Sequence, residues 1–137
     1  MATFPLATAP QTIIPQRPYL VDGLLITISG MCFTLASTPL SNFMGLLTPL
    51  PLTFISILTF VYGVVLFMKA GRGQIRQGMA RVGILANDLS VITGIILLAL
   101  NPVPLSEGGR WIVLIFSSIA AVMGIWQWVA VYSQTRR

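Results

Sequence analysis

Apolar residues along the chain fall into four long runs separated by polar and turn-forming residues. The runs cover about residues 19–37, 51–68, 82–100 and 111–132. Each is close to the roughly 20 residues that an α-helix needs to cross about 30 Å of hydrocarbon. None alternates apolar and polar positions as the strands of a membrane β-barrel do. The pattern therefore predicts an all-α, polytopic membrane protein with four transmembrane helices in an up-down bundle.

The segments outside the runs have distinct compositions. Residues 1–18 contain four prolines, so we expect a Pro-rich N-terminal arm with little helix. Residues 19–132 are predicted to form one transmembrane domain, and residues 133–137 a basic C-terminal tail. The first loop, residues 39–50, is uncharged and partly apolar, which favours either a position flat in the membrane interface or contact with another protein.

The placement of charge predicts the orientation. Only 8% of the 137 residues are charged and 55% are hydrophobic, which excludes soluble enzyme classes. With the N-terminus inside, Arg110 is the only basic residue on the outer side. The positive-inside rule then puts both termini on the cytoplasmic side, or on the equivalent stromal or matrix side. The expected partners are the lipid bilayer and other membrane subunits; the basic residues form no stripe suited to nucleic acid.

The absence of histidine limits the chemistry. Without it, the chain has no bis-His haem ligation, no His-based metal site and no Ser-His or Cys-His nucleophile pair. The single cysteine, Cys32, has no partner for a disulfide and lies in an apolar run. No metal or other cofactor is predicted, although a bound lipid or pigment is compatible with the composition.

Two short strings occur in both halves of the chain. Asp22, Ile26 and Thr27 match Asp88, Ile92 and Thr93, and the string Pro-Leu-Ser occurs at residues 39–41 and 104–106. An internal duplication would make the halves two parallel helical-hairpin repeats. The alternative is a chance match in a sequence of few residue types.

A candidate intramembrane polar site consists of Asp88, Asn87, Asp22 and Arg81. Ionisable groups inside spans are costly and are often functional. For Asp22 we expect a carboxylate in the first helical turn near Arg17, favoured by the helix dipole. For Asp88 the main expectation is an ion pair with Arg81, seven residues earlier. The alternatives for Asp88 are a proton- or ligand-binding carboxylate and a contact with a partner subunit. An intramembrane aspartyl protease is disfavoured because its GxGD signature is missing.

A second set of residues is predicted to contact lipid or a partner protein: Lys69, Arg72, Arg76, Trp126 and Trp128. The three basic residues lie in a glycine-containing loop that matches neither GxGxxG nor a P-loop. Each basic group near an anionic leaflet contributes about 1 kcal/mol of attraction. The two tryptophans are interpreted as interface anchors or packing surface.

Three functions fit these observations. The leading hypothesis is a non-catalytic accessory or assembly subunit of a larger membrane complex, plausibly an energy-transducing one. The alternative is a small homo-oligomeric, proton-linked transporter or channel that uses Asp88 together with Asp22. A third hypothesis is a lipid-binding or lipid-modifying protein that uses the loop containing Arg72 and Arg76.

Overall fold

A computed structural model describes residues 14–134 and 136. It contains five helices, which in chain order are α1 (Arg17–Leu35), α2 (Ser37–Met44), α3 (Leu50–Gly71), α4 (Gln77–Leu100) and α5 (Glu107–Tyr132). All regular secondary structure in the described part of the chain is helical, which confirms the predicted all-α class. Four of the helices, all except α2, are long and apolar enough to cross a membrane. The protein is therefore membrane-embedded.

The structure describes only parts of the predicted N-terminal arm and C-terminal tail. Most of the predicted arm, residues 1–13, lies outside the described residues, as do residues 135 and 137 of the predicted tail. Helix α1 begins at Arg17, within the segment predicted as arm. Pro18 stands in its first turn, where a missing backbone N–H costs nothing.

The first hairpin, α1 with α3, is packed backbone against backbone. A Cβ built on Gly30 would lie 2.6 Å from the backbone nitrogen of Phe60, and one on Gly63 would lie 2.6 Å from that of Thr27. Gly23 approaches α3 equally closely. Only glycine fits such contacts, which are typical of closely packed membrane helices.

The second hairpin, α4 with α5, has side chains between its helices. A Cβ on Gly94 would meet the Cβ of Ser117 at 2.8 Å, and one on Gly124 would meet the Cβ of Asn87 at 3.3 Å. These contacts involve side-chain atoms of the facing helix and no backbone atoms. The second hairpin therefore has room for larger polar groups.

One end of the bundle is closed by a small hydrophobic core. We call it the basic end, because the exposed residues Arg17, Lys69, Arg72 and Arg76 lie there. The core is formed by Ile14, Tyr19, Leu66, Ala70, Ile75 and Ala80. Gln16 holds the α3–α4 loop in place, since its Oε1 accepts from the Ile75 backbone N–H at 3.1 Å and its Nε2 donates to the Ile75 carbonyl at 3.4 Å.

The opposite end, here the α2 end, is closed by the short helix that the sequence pattern did not predict. The backbone N–H of Ser106 donates to the Met44 carbonyl at 2.9 Å, and the Ser106 hydroxyl donates to the Phe43 carbonyl. The same hydroxyl oxygen accepts from the Gly109 N–H at 3.0 Å and so caps α5. Ser106 therefore joins α2 to the start of α5. The chain leaves α2 through Gly45, whose φ of +79° is a conformation that glycine adopts at little cost.

Candidate functional site

A chamber of about 630 Å³ lies between the two hairpins. All four spanning helices line it, and Met44 of α2 borders it at the α2 end. Within the described chain, the main helix contacts are α1 with α3 and α4 with α5, and α3 does not pack along α4. The gap between α3 and α4 therefore gives the chamber a sideways opening, and Ile55, Leu58 and Leu89, which line the chamber, are exposed there.

A buried polar network occupies the part of the chamber nearest the basic end. Asp22 is 2% exposed, Asn87 6% and Gln127 0%. Asn87 Nδ2 donates to Asp22 Oδ2 at 2.9 Å, and Gln127 Nε2 donates to the same oxygen at 2.6 Å. Asn87 Nδ2 also lies 3.2 Å from Gln127 Oε1. One carboxylate thus links α1, α4 and α5.

The position of each residue follows from its helix. Asp22 is five residues from the start of α1 and Gln127 is five residues from the end of α5, so each lies about 7 Å along its helix from the basic end. Gly83 leaves the space in which Gln127 reaches Asp22: a Cβ there would lie 3.3 Å from Gln127 Oε1. Asn87 Nδ2 makes a third contact, to the Gly83 carbonyl at 3.3 Å.

The Asp22 carboxylate is stabilised by amides and by no cation. Both side-chain amides donate their hydrogen bonds to Oδ2, and Oδ1 accepts no hydrogen bond from the described residues. Asp22 also forms no ion pair within that part of the chain. A buried carboxylate without a countercharge costs several kcal/mol in a medium of low dielectric constant, at the order-of-magnitude level. The site is therefore suited to take up a positive charge.

Tyr62 of α3 adds a fourth helix to the site. It lines the same chamber and is within electrostatic range of Asp22. Its hydroxyl is buried and has no hydrogen-bond partner among the described residues. An unpaired buried hydroxyl costs about 1–3 kcal/mol, and chambers with such groups commonly hold a ligand or water.

The structure separates the two aspartates that the sequence analysis grouped. Asp22 is buried, whereas Asp88 is exposed on the side of α4 near α5, where a Cβ built on Gly124 would lie 3.5 Å from its Oδ1. The expected Arg81–Asp88 ion pair is absent, and both side chains are exposed. The expectation for Asp22 was also wrong: it lies beyond the first turn of α1 and has no ion pair with Arg17. The physical reason is that neighbouring helix positions point about 100° apart, so Asn87 faces inward and Asp88 outward.

The predicted lipid- or partner-contacting residues lie outside the chamber. Lys69, Arg72 and Arg76 are exposed at the basic end. Trp126 and Trp128 are 42% and 54% exposed on α5, and the Trp128 ring lies 4.8 Å from that of Tyr132, measured between centroids. Among the residues that are described, no three His, Cys, Asp or Glu side chains form a group that could hold a metal ion.

Sequence reasoning missed Gln127 and Tyr62. A signal for Gln127 was present, because it is a polar residue inside an otherwise apolar run and between two tryptophans. Tyr62 gave a weaker signal, because tyrosine is common at membrane interfaces. Asn87 was named as a member of the candidate site without an assigned contact, and in the structure its amide donates to Asp22.

The comparisons with known proteins leave the site to be interpreted from its own geometry. The chain matches no protein-family model, no curated protein and no solved structure.

Proposed function

We propose that the protein is a small proton-linked membrane transporter that binds its substrate in the chamber between the hairpins. In this proposal Asp22 replaces Asp88 as the carboxylate that binds the proton. The main support is the combination of two features at one place: a buried carboxylate without a countercharge among the described residues, and a chamber with a sideways opening between apolar helices.

Proton linkage follows from the cost of an uncompensated charge in the membrane. Protonation of Asp22 neutralises the site, and release of the proton leaves a carboxylate that needs another positive group. Substrate binding and proton release are therefore coupled at one group, the Asp22 carboxyl group. The titratable groups facing Asp22 are the phenols of Tyr19 and Tyr62, while α4 and α5 contribute the neutral amides of Asn87 and Gln127.

Transport of lipophilic dyes by proteoliposomes with an imposed pH gradient tests this proposal. The panel contains monodansylcadaverine as a primary ammonium, ethidium as a quaternary cation, Nile red as a neutral dye and 8-anilinonaphthalene-1-sulfonate as an anion, and the uptake by empty liposomes is subtracted. We expect gradient-dependent movement of at least one dye by the wild-type protein, and its loss in Asp22→Asn.

The matched control is Asp88→Asn, the same chemical change on the exposed face of the neighbouring helix. It should leave transport at the wild-type rate. Movement of no dye by the wild-type protein, or equal rates for wild type and Asp22→Asn, would contradict the proposal.

The membrane orientation belongs to the same proposal. All exposed basic residues of the described chain except Arg110 lie at one end, and the positive-inside rule assigns that end, with both termini, to the cytoplasmic side or its equivalent. Membrane-impermeant thiol labelling of Lys69→Cys, made in a Cys32→Ser background because Cys32 is an exposed free thiol, tests it in intact cells. Labelling should occur only after the cells are opened.

The accessory-subunit hypothesis keeps one supporting observation. The segment after α2 is uncharged, and Leu47 in it is 98% exposed. Such a surface favours contact with a partner membrane protein or with the lipid interface. Extraction in mild detergent followed by native electrophoresis distinguishes the two functions, because a monomer or small homo-oligomer without co-purifying subunits contradicts the accessory role.

A further inference from the structure

The geometry points to a substrate class: a lipophilic amine that carries at least one N–H on its cationic nitrogen. This inference rests on the proposed function and names what the chamber binds. The ammonium group would contact Asp22 Oδ1 and the Tyr62 hydroxyl, and the apolar body would lie along the chamber toward the α2 end.

The charge of the substrate follows from the surroundings of Asp22. The two amides donate to Oδ2 but leave the negative charge uncompensated, and no described Lys or Arg pairs with it. An ammonium supplies that countercharge and also donates to Oδ1. Hydrogen bonds between charged partners are roughly twice as strong as those between neutral ones. A neutral donor can bond to Oδ1 but supplies no countercharge, and an anion is repelled by the carboxylate.

The requirement for more than one polar contact comes from Tyr62. Tyr62 lines the same chamber, and its buried hydroxyl oxygen, which has no partner among the described residues, can accept a hydrogen bond from an N–H. The carboxylate and the phenol lie on different helices, α1 and α3. A primary ammonium has three N–H groups and can donate to both, whereas a quaternary ammonium can donate to neither.

The apolar body of the substrate is indicated by the rest of the chamber. Asp22 and Phe33 both line it and are eleven residues apart on α1, which corresponds to about 16 Å along the helix. Phe33 stacks edge-on against Phe116 with ring centroids 4.8 Å apart, so the far end presents aromatic surface. The volume of about 630 Å³ lies within the usual range for small-molecule sites.

The path of access is the gap between α3 and α4. Three residues beside this gap line the chamber and are more than half exposed: Ile55 and Leu58 of α3, and Leu89 of α4. The substrate therefore reaches the site from the lipid, where an amine with an apolar body concentrates.

Three probes with the same apolar body test the inference: radiolabelled 4-phenylbutylamine, 4-phenylbutan-1-ol and (4-phenylbutyl)trimethylammonium. Binding to the full chain in nanodiscs is measured by equilibrium dialysis, with empty nanodiscs subtracted. We expect saturable binding of the amine, at least about ten-fold tighter than that of the alcohol or the quaternary ammonium. Because a proton and the ammonium compete for Asp22, the affinity for the amine should fall as the pH is lowered.

Two variants separate binding from folding. Asp22→Asn should weaken amine binding at least about ten-fold. Tyr62→Phe removes a hydroxyl that makes no hydrogen bond, so its thermal unfolding should match the wild type while amine affinity falls about three-fold. Asp88→Asn should bind like the wild type.

The outcomes distinguish the substrate class from the proposed function. Equal affinity for amine and alcohol, equal affinity for amine and quaternary ammonium, or unchanged amine binding by Asp22→Asn would overturn the inference. If ethidium transport depends on Asp22 but the amine shows no saturable binding, the N–H amine class is wrong and the transporter proposal stands. If neither depends on Asp22, both fail.

Discussion

The first and second hairpins differ in what lies between their helices. In α1 and α3 the backbones touch at Gly23, Gly30 and Gly63, so no side chain separates the helices there. In α4 and α5 the corresponding contacts are made by side chains such as Asn87 and Ser117. The tight hairpin holds the carboxylate in place, and the looser one supplies the amides that reach it. A binding site of this kind needs both, because the donors must cross the gap between the hairpins.

A second comparison concerns the residues that the two hairpins place at the site. Asp22 and Asn87 are 65 residues apart and hydrogen-bonded to each other. The same separation relates Tyr62 to Gln127 and the two Pro-Leu-Ser strings. Each hairpin therefore contributes one polar residue from its first spanning helix and one from its second, at corresponding positions. The pairing of Asp22 with Asp88, which suggested a repeat in the sequence, joins a buried residue to an exposed one.

The largest effect is expected from Gly30→Ala in the tight hairpin. The new Cβ would lie 2.6 Å from backbone of α3, so the helices must separate, at a cost of about 1–3 kcal/mol. Thermal unfolding in detergent measures this cost. Gly78→Ala, at a helical glycine with nothing within 4 Å, is the control and should not lower stability. Equal stability of the two variants would show that the backbone contact is not formed.

A smaller effect is expected from Ser106→Ala at the α2 end. The substitution removes the cap of α5 and the hydroxyl bond to the Phe43 carbonyl, a loss of about 1–2 kcal/mol. Its matched control is Ser41→Ala, at the corresponding position of the first half, where the hydroxyl bonds only to the Thr38 carbonyl. Hydrogen exchange of α2 amides should increase in Ser106→Ala and change less in Ser41→Ala. The reverse order would contradict the role given to Ser106.

The smallest of the three stability effects is expected from Gly94→Ala in the looser hairpin. The new Cβ would lie 2.8 Å from the Ser117 Cβ, which χ1 rotation does not move, but it meets no backbone atom, so a shift of a few tenths of an ångström between the helices relieves the contact and we expect a cost of about 1 kcal/mol. The double variant Gly94→Ala with Ser117→Gly should recover most of it. A loss larger than that of Gly30→Ala would reverse the distinction between the hairpins.

The spans were predictable because membrane hydrocarbon requires long apolar helices. Each such helix can be recognised from its own run of apolar residues, without knowledge of the other helices. Helix α2 was missed because its eight residues include Pro39 and lie in a segment with the composition of a loop. Its stability comes from contacts with α5, which is distant in sequence.

The site was only partly predictable, since facing directions depend on packing. Asp22 and Asn87 were named as candidates, but composition gave no reason to prefer Asn87 to Asp88 as the inward residue. Burial of Gln127 and Tyr62 depends on the way four helices surround the chamber, and Gly83 and Gly124 make room for it. The rotation of each helix about its own axis decides which residues face the chamber. Contacts between helices determine that rotation, and the hydropathy of a single helix does not.

The competition between a proton and an amine at Asp22 is tested most directly by infrared difference spectroscopy of the protein in lipid. Addition of 4-phenylbutylamine, at a pH at which the empty site is protonated, should convert one carboxyl band to a carboxylate band. The change should be present in wild type and Asp88→Asn and absent in Asp22→Asn. A change that persists in Asp22→Asn would contradict this account, and a change that disappears in Asp88→Asn would place the active carboxylate on α4.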